Sequence, residues 1–287
     1  MPLDSIAEIL ASCSERNLAF WQVVLEADVE ERQVSAEASF EKMRATWRAM
    51  LDSAESYDGG LRSVSGLSGG DGELMRRYAA GGAALGGGYI SEVIATALCV
   101  GESNACMRKI VAAPTAGACG VLPAVLVPLY RRGEREEDIL RALYTAAGIG
   151  AVINSRASIS GAAGGCQAEI GSASAMAAGA LAQLRGGGPE QTANALAMAL
   201  KNLMGLICDP VAGLVEVPCV KRNVIGAVNA VSCADMVLAG ITSRIPADEV
   251  IDCMGIVGER LPREFRETAR GGLAATPTGR AAWKKLK

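Results

Sequence analysis

Two cysteines, two prolines, a glycine and two carboxylates are packed into one short stretch, Cys208-Asp209-Pro210-Val211-Ala212-Gly213-Leu214-Val215-Glu216-Val217-Pro218-Cys219, directly after an apolar helical run. The chain contains no histidine, so imidazole is not available as base, nucleophile or ligand. A metal held by this polypeptide alone must use thiolate, carboxylate or backbone oxygen. Of nine cysteines, Cys166, Cys208 and Cys219 each lie at a loop-to-helix junction with polar neighbours. Cys99, Cys106, Cys233 and Cys253 fall within apolar helical patterns and read as packed core thiols. Cys13 belongs to a surface cap and reads as inert, whereas Cys119 stands in a candidate loop and is ambiguous. Histidine-free, thiolate-rich sites suit zinc or iron–sulfur clusters. Three thiolates rather than four would leave one iron of a four-iron cluster open to substrate, and an open-coordinate metal is a Lewis acid. No compact Cys-x-x-Cys is present, so spacing alone leaves a cluster, a zinc site and packed thiols all open.

Four loops of one texture must position these residues: 65–72, 112–120, 158–167 and 208–219, each rich in Gly, Ser or Pro and each joining apolar helical runs. The first, Ser65-Gly66-Leu67-Ser68-Gly69-Gly70-Asp71-Gly72, stands before a helix expected from about Glu73. Its successive amides can form an anion-binding nest; a flexible linker is the competing reading. It is no Walker loop, because no Gly-Lys-Ser/Thr follows. The second, Ala112-Ala113-Pro114-Thr115-Ala116-Gly117-Ala118-Cys119-Gly120, carries one hydroxyl, Thr115. If the loops converge, they build a pocket lined by backbone donors, hydroxyls and thiols.

The elements between them read as helices, and the fold expected is all-α, a single helical domain with its Gly-rich loops converging on a central site. Half of the 287 residues are hydrophobic but only 4% are aromatic, a composition that favours close-packed helices over a sandwich. Residues 1–56 form a helical N-terminal cap, with Ser5 and Glu8 spaced as a capping box and Phe40, Met43, Trp47 and Leu51 at helical intervals. The core spans 65–275. Helices are expected over 73–106 with glycine interruptions, from Leu122, over Glu136–Ser155, over 189–206 and from about Val224. Two more are expected at 246–257 and at 262–270, each opened by proline. The run after Cys166 has Gly, Ala and Ser on nearly every face and belongs in the centre.

Net charge is -3, and no basic stripe marks a nucleic-acid surface. The scattered, odd-numbered cysteines do not form a secreted disulfide framework, and the N-terminus lacks a signal-peptide pattern. A cytoplasmic protein acting on a small molecule is expected. The uncharged stretch between Lys109 and Arg131 is interrupted by Pro114, Pro123 and Pro128, which favours a loop leading into a core helix over a membrane span. A pyridoxal phosphate mechanism is disfavoured, because the Gly-rich core loops hold few lysines and none in a Ser-x-Lys context.

The chain resembles the α chain of the iron–sulfur-dependent L-serine dehydratases (L-serine ammonia-lyases). The resemblance runs through Ser68-Gly69-Gly70-Asp71, Ala112-Ala113-Pro114-Thr115-Ala116-Gly117, Gly165-Cys166-Gln167-Ala168-Glu169, the stretch 208–219 with Arg222-Asn223, and Arg266-Glu267-Thr268-Ala269-Arg270-Gly271-Gly272-Leu273. It implies an all-helical catalytic domain in which Cys166, Cys208 and Cys219 hold a [4Fe-4S] cluster. It also implies β-elimination of water from L-serine, giving pyruvate and ammonia. Single-chain members carry an additional regulatory domain that this chain is too short to include, and some end in a cysteine that caps the open iron. A separate α subunit is therefore expected, assembling with a β chain into a hetero-oligomer. Within that reading the substrate carboxylate is expected at Ser68, Gly69, Gly70 and Asp71 and at Thr115, Ala116 and Gly117. Glu169 and Asp71 are candidates for the ammonium. The catalytic base is unassigned and expected on the partner chain; Asp209 and Glu216 either hold local backbone amides or act in catalysis. The alternatives are an L-cysteine desulfidase-like cluster enzyme and a non-enzymatic zinc–thiolate structural protein.

Overall fold

Alanine, leucine and valine at a 3.6-residue period drive this chain into helix, and a computed structural model, describing residues 4–286, is all-α, with one isolated β-bridge and no strand among the described residues. Helices α1 (Ile6–Arg16), α2 (Phe20–Arg32) and α3 (Ala36–Glu55) form the N-terminal cap. Ser5 caps α1 through its hydroxyl, which accepts from the Glu8 amide at 3.1 Å. The cap is seated by large side chains: Trp47 is fully buried edge-on to Tyr130, and Phe40 lies against both Trp21 and Tyr144.

Next come α4 (Asp71–Ala80) and α5 (Gly87–Ala105), the two helices that the glycine interruptions separate. Proline and small residues then cut the uncharged stretch into an irregular loop, a 3-10 turn at Ala116–Ala118 and the short helix α6 (Val121–Arg131). No helix among the described residues is long and apolar enough to cross a membrane. Helix α7 (Glu136–Arg156) follows, then a single turn, α8 (Gly161–Gly164).

At the centre lies α9 (Ser172–Leu184), in which every residue from Ser172 to Ala182 is buried. It packs against α6, α7, α10 (Pro189–Asn202) and α11 (Cys219–Leu238). Small side chains permit this: Gly179 faces Ile149, and a Cβ there would stand 2.3 Å from the Ile149 Cδ1. One buried apolar cluster runs from Ile6 in the cap to Met254 in α12 (Ala247–Arg260).

Two expectations fail after Cys208. Residues 262–270 do not form a helix. After a 3-10 turn at Arg263–Phe265 the chain pairs with the cysteine loop: the Cys208 amide donates to the Phe265 carbonyl at 2.8 Å and the Glu267 amide to the Cys208 carbonyl at 2.9 Å. Extended pairing replaces helical hydrogen bonds, and Glu267 and Ala269 take φ of 60° and 53°. The last helix is instead α13 (Pro277–Lys285), capped by the Thr276 hydroxyl. The other correction concerns α11, which starts at Cys219 rather than near Val224.

Candidate active site

Each of the three cysteines singled out by sequence is set in place by a different local device. Cys166 follows Gly165, which has φ of 76°, and a Cβ there would lie 2.6 Å from Leu261 Cδ1 and 3.0 Å from the Leu206 carbonyl. Only glycine permits that close turn. The chain then enters a π-helical turn at Gln167–Gly171, a form enriched at functional sites. Gln167 locks it: its backbone amide donates to the Leu206 carbonyl (2.9 Å), its side chain donates to the Met254 carbonyl (3.1 Å), and its Oε1 accepts from the Gly205 amide (2.8 Å). The segment bearing Cys166 is thus tied to the segment leading into Cys208. Cys208 is fixed by its bridge to Arg266, and Cys219 is the first residue of α11.

All nine cysteines are free thiols. Burial pushes the Cys166 thiol up to about 11, against the favourable pull of Arg222. Cys219 is raised to about 12, first by burial and then by the charges of Cys166 and Glu169. Cys208 is raised further still by burial, followed by Cys166, Glu169 and Cys219. Their segments are tied to one another: the Gln167 amide next to Cys166 donates to the carbonyl of Leu206, two residues before Cys208, and Asn223 joins the Cys219 carbonyl to Gly117 beside Glu169. Their burial disfavours bare thiolates, and a bound cation is what reverses that preference. No three Cys, Asp or Glu side chains among the described residues gather around a point fit for a single ion. A histidine-free set of three unbridged thiols, Cys166 and Cys208 buried and Cys219 half-buried, fits an iron–sulfur cluster by donor chemistry.

Glu169 is the convergence point of three loops. Its Oε1 accepts from Thr115 Oγ1 at 2.7 Å, and its Oε2 lies 3.8 Å from Cys208 Sγ. A Cβ on Gly117 would stand 3.2 Å from Oε1, and one on Gly161 would stand 2.5 Å from Oε2 and 3.1 Å from Cys208 Sγ. Loops 112–120, 158–167 and 208–219 therefore meet around one carboxyl. Burial raises the Glu169 pKa, opposed by the Thr115 hydrogen bond. Asn223 stitches the second loop to Cys219: its Oδ1 accepts from the Gly120 amide (2.8 Å), and its Nδ2 donates to the carbonyls of Gly117 (2.8 Å) and Cys219 (3.0 Å).

The fourth loop joins differently. Its amides do form a nest, but a carboxylate of the chain itself fills it. Glu102, 1% exposed, accepts from the amides of Gly69 (3.2 Å), Asp71 (2.9 Å) and Gly72 (3.1 Å) and from the Tyr57 hydroxyl (2.5 Å). Asp71 Oδ2 is paired with Lys221 Nζ at 2.8 Å. Ser68 is buried, and its amide donates to Ser63 Oγ. Gly69 and Gly70 take φ of 125° and 87°, which turns the loop over Glu102. Glu216 anchors the loop to the cysteine stretch by accepting from Ser63 Oγ (2.6 Å) and Ser65 Oγ. Asp209 accepts from the Leu273 amide at 2.8 Å and pairs with Arg222 at 2.8 Å. Both flanking carboxylates are thus engaged in holding loops.

Of the remaining thiols, Cys99, Cys233 and Cys119 are core, the last donating to the Val100 carbonyl. Cys13 is buried too, Cys106 is half-buried and Cys253 is exposed, contrary to its expected place in the core. Sequence reasoning passed over Glu102 and gave Asn223 no role. A lone carboxylate in the apolar run of α5 was a signal for the first. For the second, the signal was an amide one helical turn after Cys219.

Against known proteins, residues 15–274 match the family model described as Serine dehydratase alpha chain. The chain is 46% identical over 283 residues to "Probable L-serine dehydratase, alpha chain" of Bacillus subtilis (strain 168), covering 98% of this chain and 94% of that protein. It is 40% identical over 283 residues to "L-serine dehydratase, alpha chain" of Peptoniphilus asaccharolyticus, with 96% of each chain covered. Similarity also extends to "L-serine dehydratase TdcG" of Escherichia coli (strain K12), at 48% over 181 residues, 62% of this chain and 40% of that one.

Proposed function

This chain belongs to the serine dehydratase alpha-chain family, and from that premise we propose that it is the α subunit of an L-serine dehydratase whose cluster is held by Cys166, Cys208 and Cys219. The observation that carries the proposal is the meeting of the Cys208 thiol, Glu169 and the Thr115–Gly117 turn, with Cys166 and Cys219 on the segments tied to them. The reaction removes the α-hydrogen and the β-hydroxyl of serine. The resulting enamine tautomerises to an imine, and hydrolysis gives pyruvate and ammonia.

A [4Fe-4S] cluster, when bound, supplies an iron with an open position that stabilises negative charge developing on the leaving hydroxyl oxygen. The chain's own groups bind and orient. Glu169 faces the substrate ammonium, and that cation offsets the burial that raises its carboxyl. We place the serine carboxylate at Thr115, Ala116 and Gly117, where the amides of Ala116 and Gly117 open a 3-10 turn beside Glu169. The stretch Ser68, Gly69, Gly70 and Asp71 is assigned to the same site; its loop is tied to the cysteine stretch by Glu216, while its amides hold Glu102 and its Asp71 pairs with Lys221.

The base that takes the α-hydrogen is assigned to the β chain, because this chain has no histidine and its Asp209 and Glu216 are engaged elsewhere. The α chain reconstituted anaerobically is expected to dehydrate serine only weakly alone and at full rate once its β chain is added. L-cysteine assayed in parallel separates water from sulfide elimination. Full serine turnover by the α chain alone would overturn the assignment of the base, and faster sulfide release than pyruvate formation from serine would favour the desulfidase reading.

A further inference from the structure

Arg222 links the segments that carry the three cysteines. It lies on α11 one turn after Cys219. Its Nη1 donates to the Ile207 carbonyl at 2.8 Å and its Nη2 to Asp209 Oδ1 at 2.8 Å, so its fork grips the residues on both sides of Cys208. Through Ile207 it also borders the Cys166 segment, whose Gln167 amide donates to the adjacent Leu206 carbonyl at 2.9 Å. The ion pair is buried, with side-chain exposures of 11% for Arg222 and 3% for Asp209. Asp209 is itself pinned by the Leu273 amide, and a Cβ on Gly272 would stand 2.3 Å from Asp209 Oδ2. Asp209 is the charged group in contact with this cation, whose charge also acts on Cys166, Cys219 and Glu169.

Three thiolates brought into a buried space repel one another and need fixed positive charge near them. A planar fork also fixes geometry in a way that an ammonium cannot. From the contacts, we propose that Arg222 is a positioning residue for the cluster: it holds the three ligand segments in register and sets a permanent positive charge beside the thiolates. The inference rests on the reading that Cys166, Cys208 and Cys219 bind a cluster. The competing account is that Arg222 only neutralises Asp209 during folding.

Wild type, Arg222→Lys, Arg222→Gln and the double variant Asp209→Asn/Arg222→Gln separate the two. Each is reconstituted anaerobically with ferrous iron and sulfide, then followed by visible absorption under an iron chelator and by redox titration, with far-UV circular dichroism of the apo chain as the folding control. Arg222→Gln is expected to release iron roughly 10-fold more readily, as loss of an outer partner does at metal sites, and to shift the midpoint potential to more negative values. Arg222→Lys is expected to keep a potential near that of wild type, because the charge remains, yet to release iron faster than wild type. The double variant leaves no uncompensated buried carboxylate and decides the matter even where Arg222→Gln alone does not fold. Wild-type iron retention and potential in that double variant would overturn the proposal. A wild-type chain that takes up no iron and sulfide would instead refute the cluster reading beneath it.

Discussion

Cys208→Ser is expected to abolish serine turnover by the α/β enzyme while leaving the fold intact. Cys208 is 3% exposed, and its thiol lies beside Glu169 and Gly161. Serine is nearly the same size, and its hydroxyl can take over the contact with Glu169 Oε2 that the thiol makes at 3.8 Å. What it cannot supply is a soft thiolate, the ligand that an iron–sulfur site selects. The apo protein should therefore keep its circular dichroism and thermal midpoint close to wild type, and activity should fall to the background of the assay. The same exchange at Cys119, a core thiol bonded to the Val100 carbonyl, should change turnover little by comparison. Comparable loss from both would place the effect in packing rather than in a ligand.

Glu102→Ala should produce the largest loss of stability among the polar positions. The carboxylate is buried and is satisfied by three backbone amides and a phenol. Two of those amides belong to the first turn of α4, whose positive end favours an anion. Truncation strands all four donors, and leaving even one buried donor unpaired costs about 1–3 kcal/mol. A loss of about 3 kcal/mol or more is expected in urea titration of the apo chain. The same variant should raise the KM for serine, because the loop 65–72 loses the group it folds around. A loss of stability below about 1 kcal/mol would show that water replaces the carboxylate without penalty.

Glu102 also marks where sequence reading ran out. The glycines of 65–72 were legible as a nest, since φ values such as the 125° at Gly69 are a property of glycine itself. The identity of the anion was not legible, because Glu102 lies on the next helix and reaches the loop only through the α4–α5 packing. The all-α class was legible from composition and period, and the central position of α9 from its lack of any polar face. The helix expected at 262–270 fails for the opposite reason: local signals at Pro262 and Gly271 are overridden by pairing with Cys208, a contact made across the fold. Cys166, Cys208 and Cys219 were separated from the other thiols by their loop junctions, but their grouping came from resemblance. Their spacing along the chain carries no metal signature, and only the fold brings Gly161, Glu169 and Cys208 into contact.

The central claim is that these three thiols hold a four-iron cluster. Its most direct test is an iron and acid-labile sulfide determination on the anaerobically purified chain, with Cys166→Ala in parallel. The account predicts a brown wild-type protein with about four irons and four sulfides per chain, and a Cys166→Ala protein that folds but holds neither. A colourless wild-type protein containing stoichiometric zinc and no sulfide would contradict it.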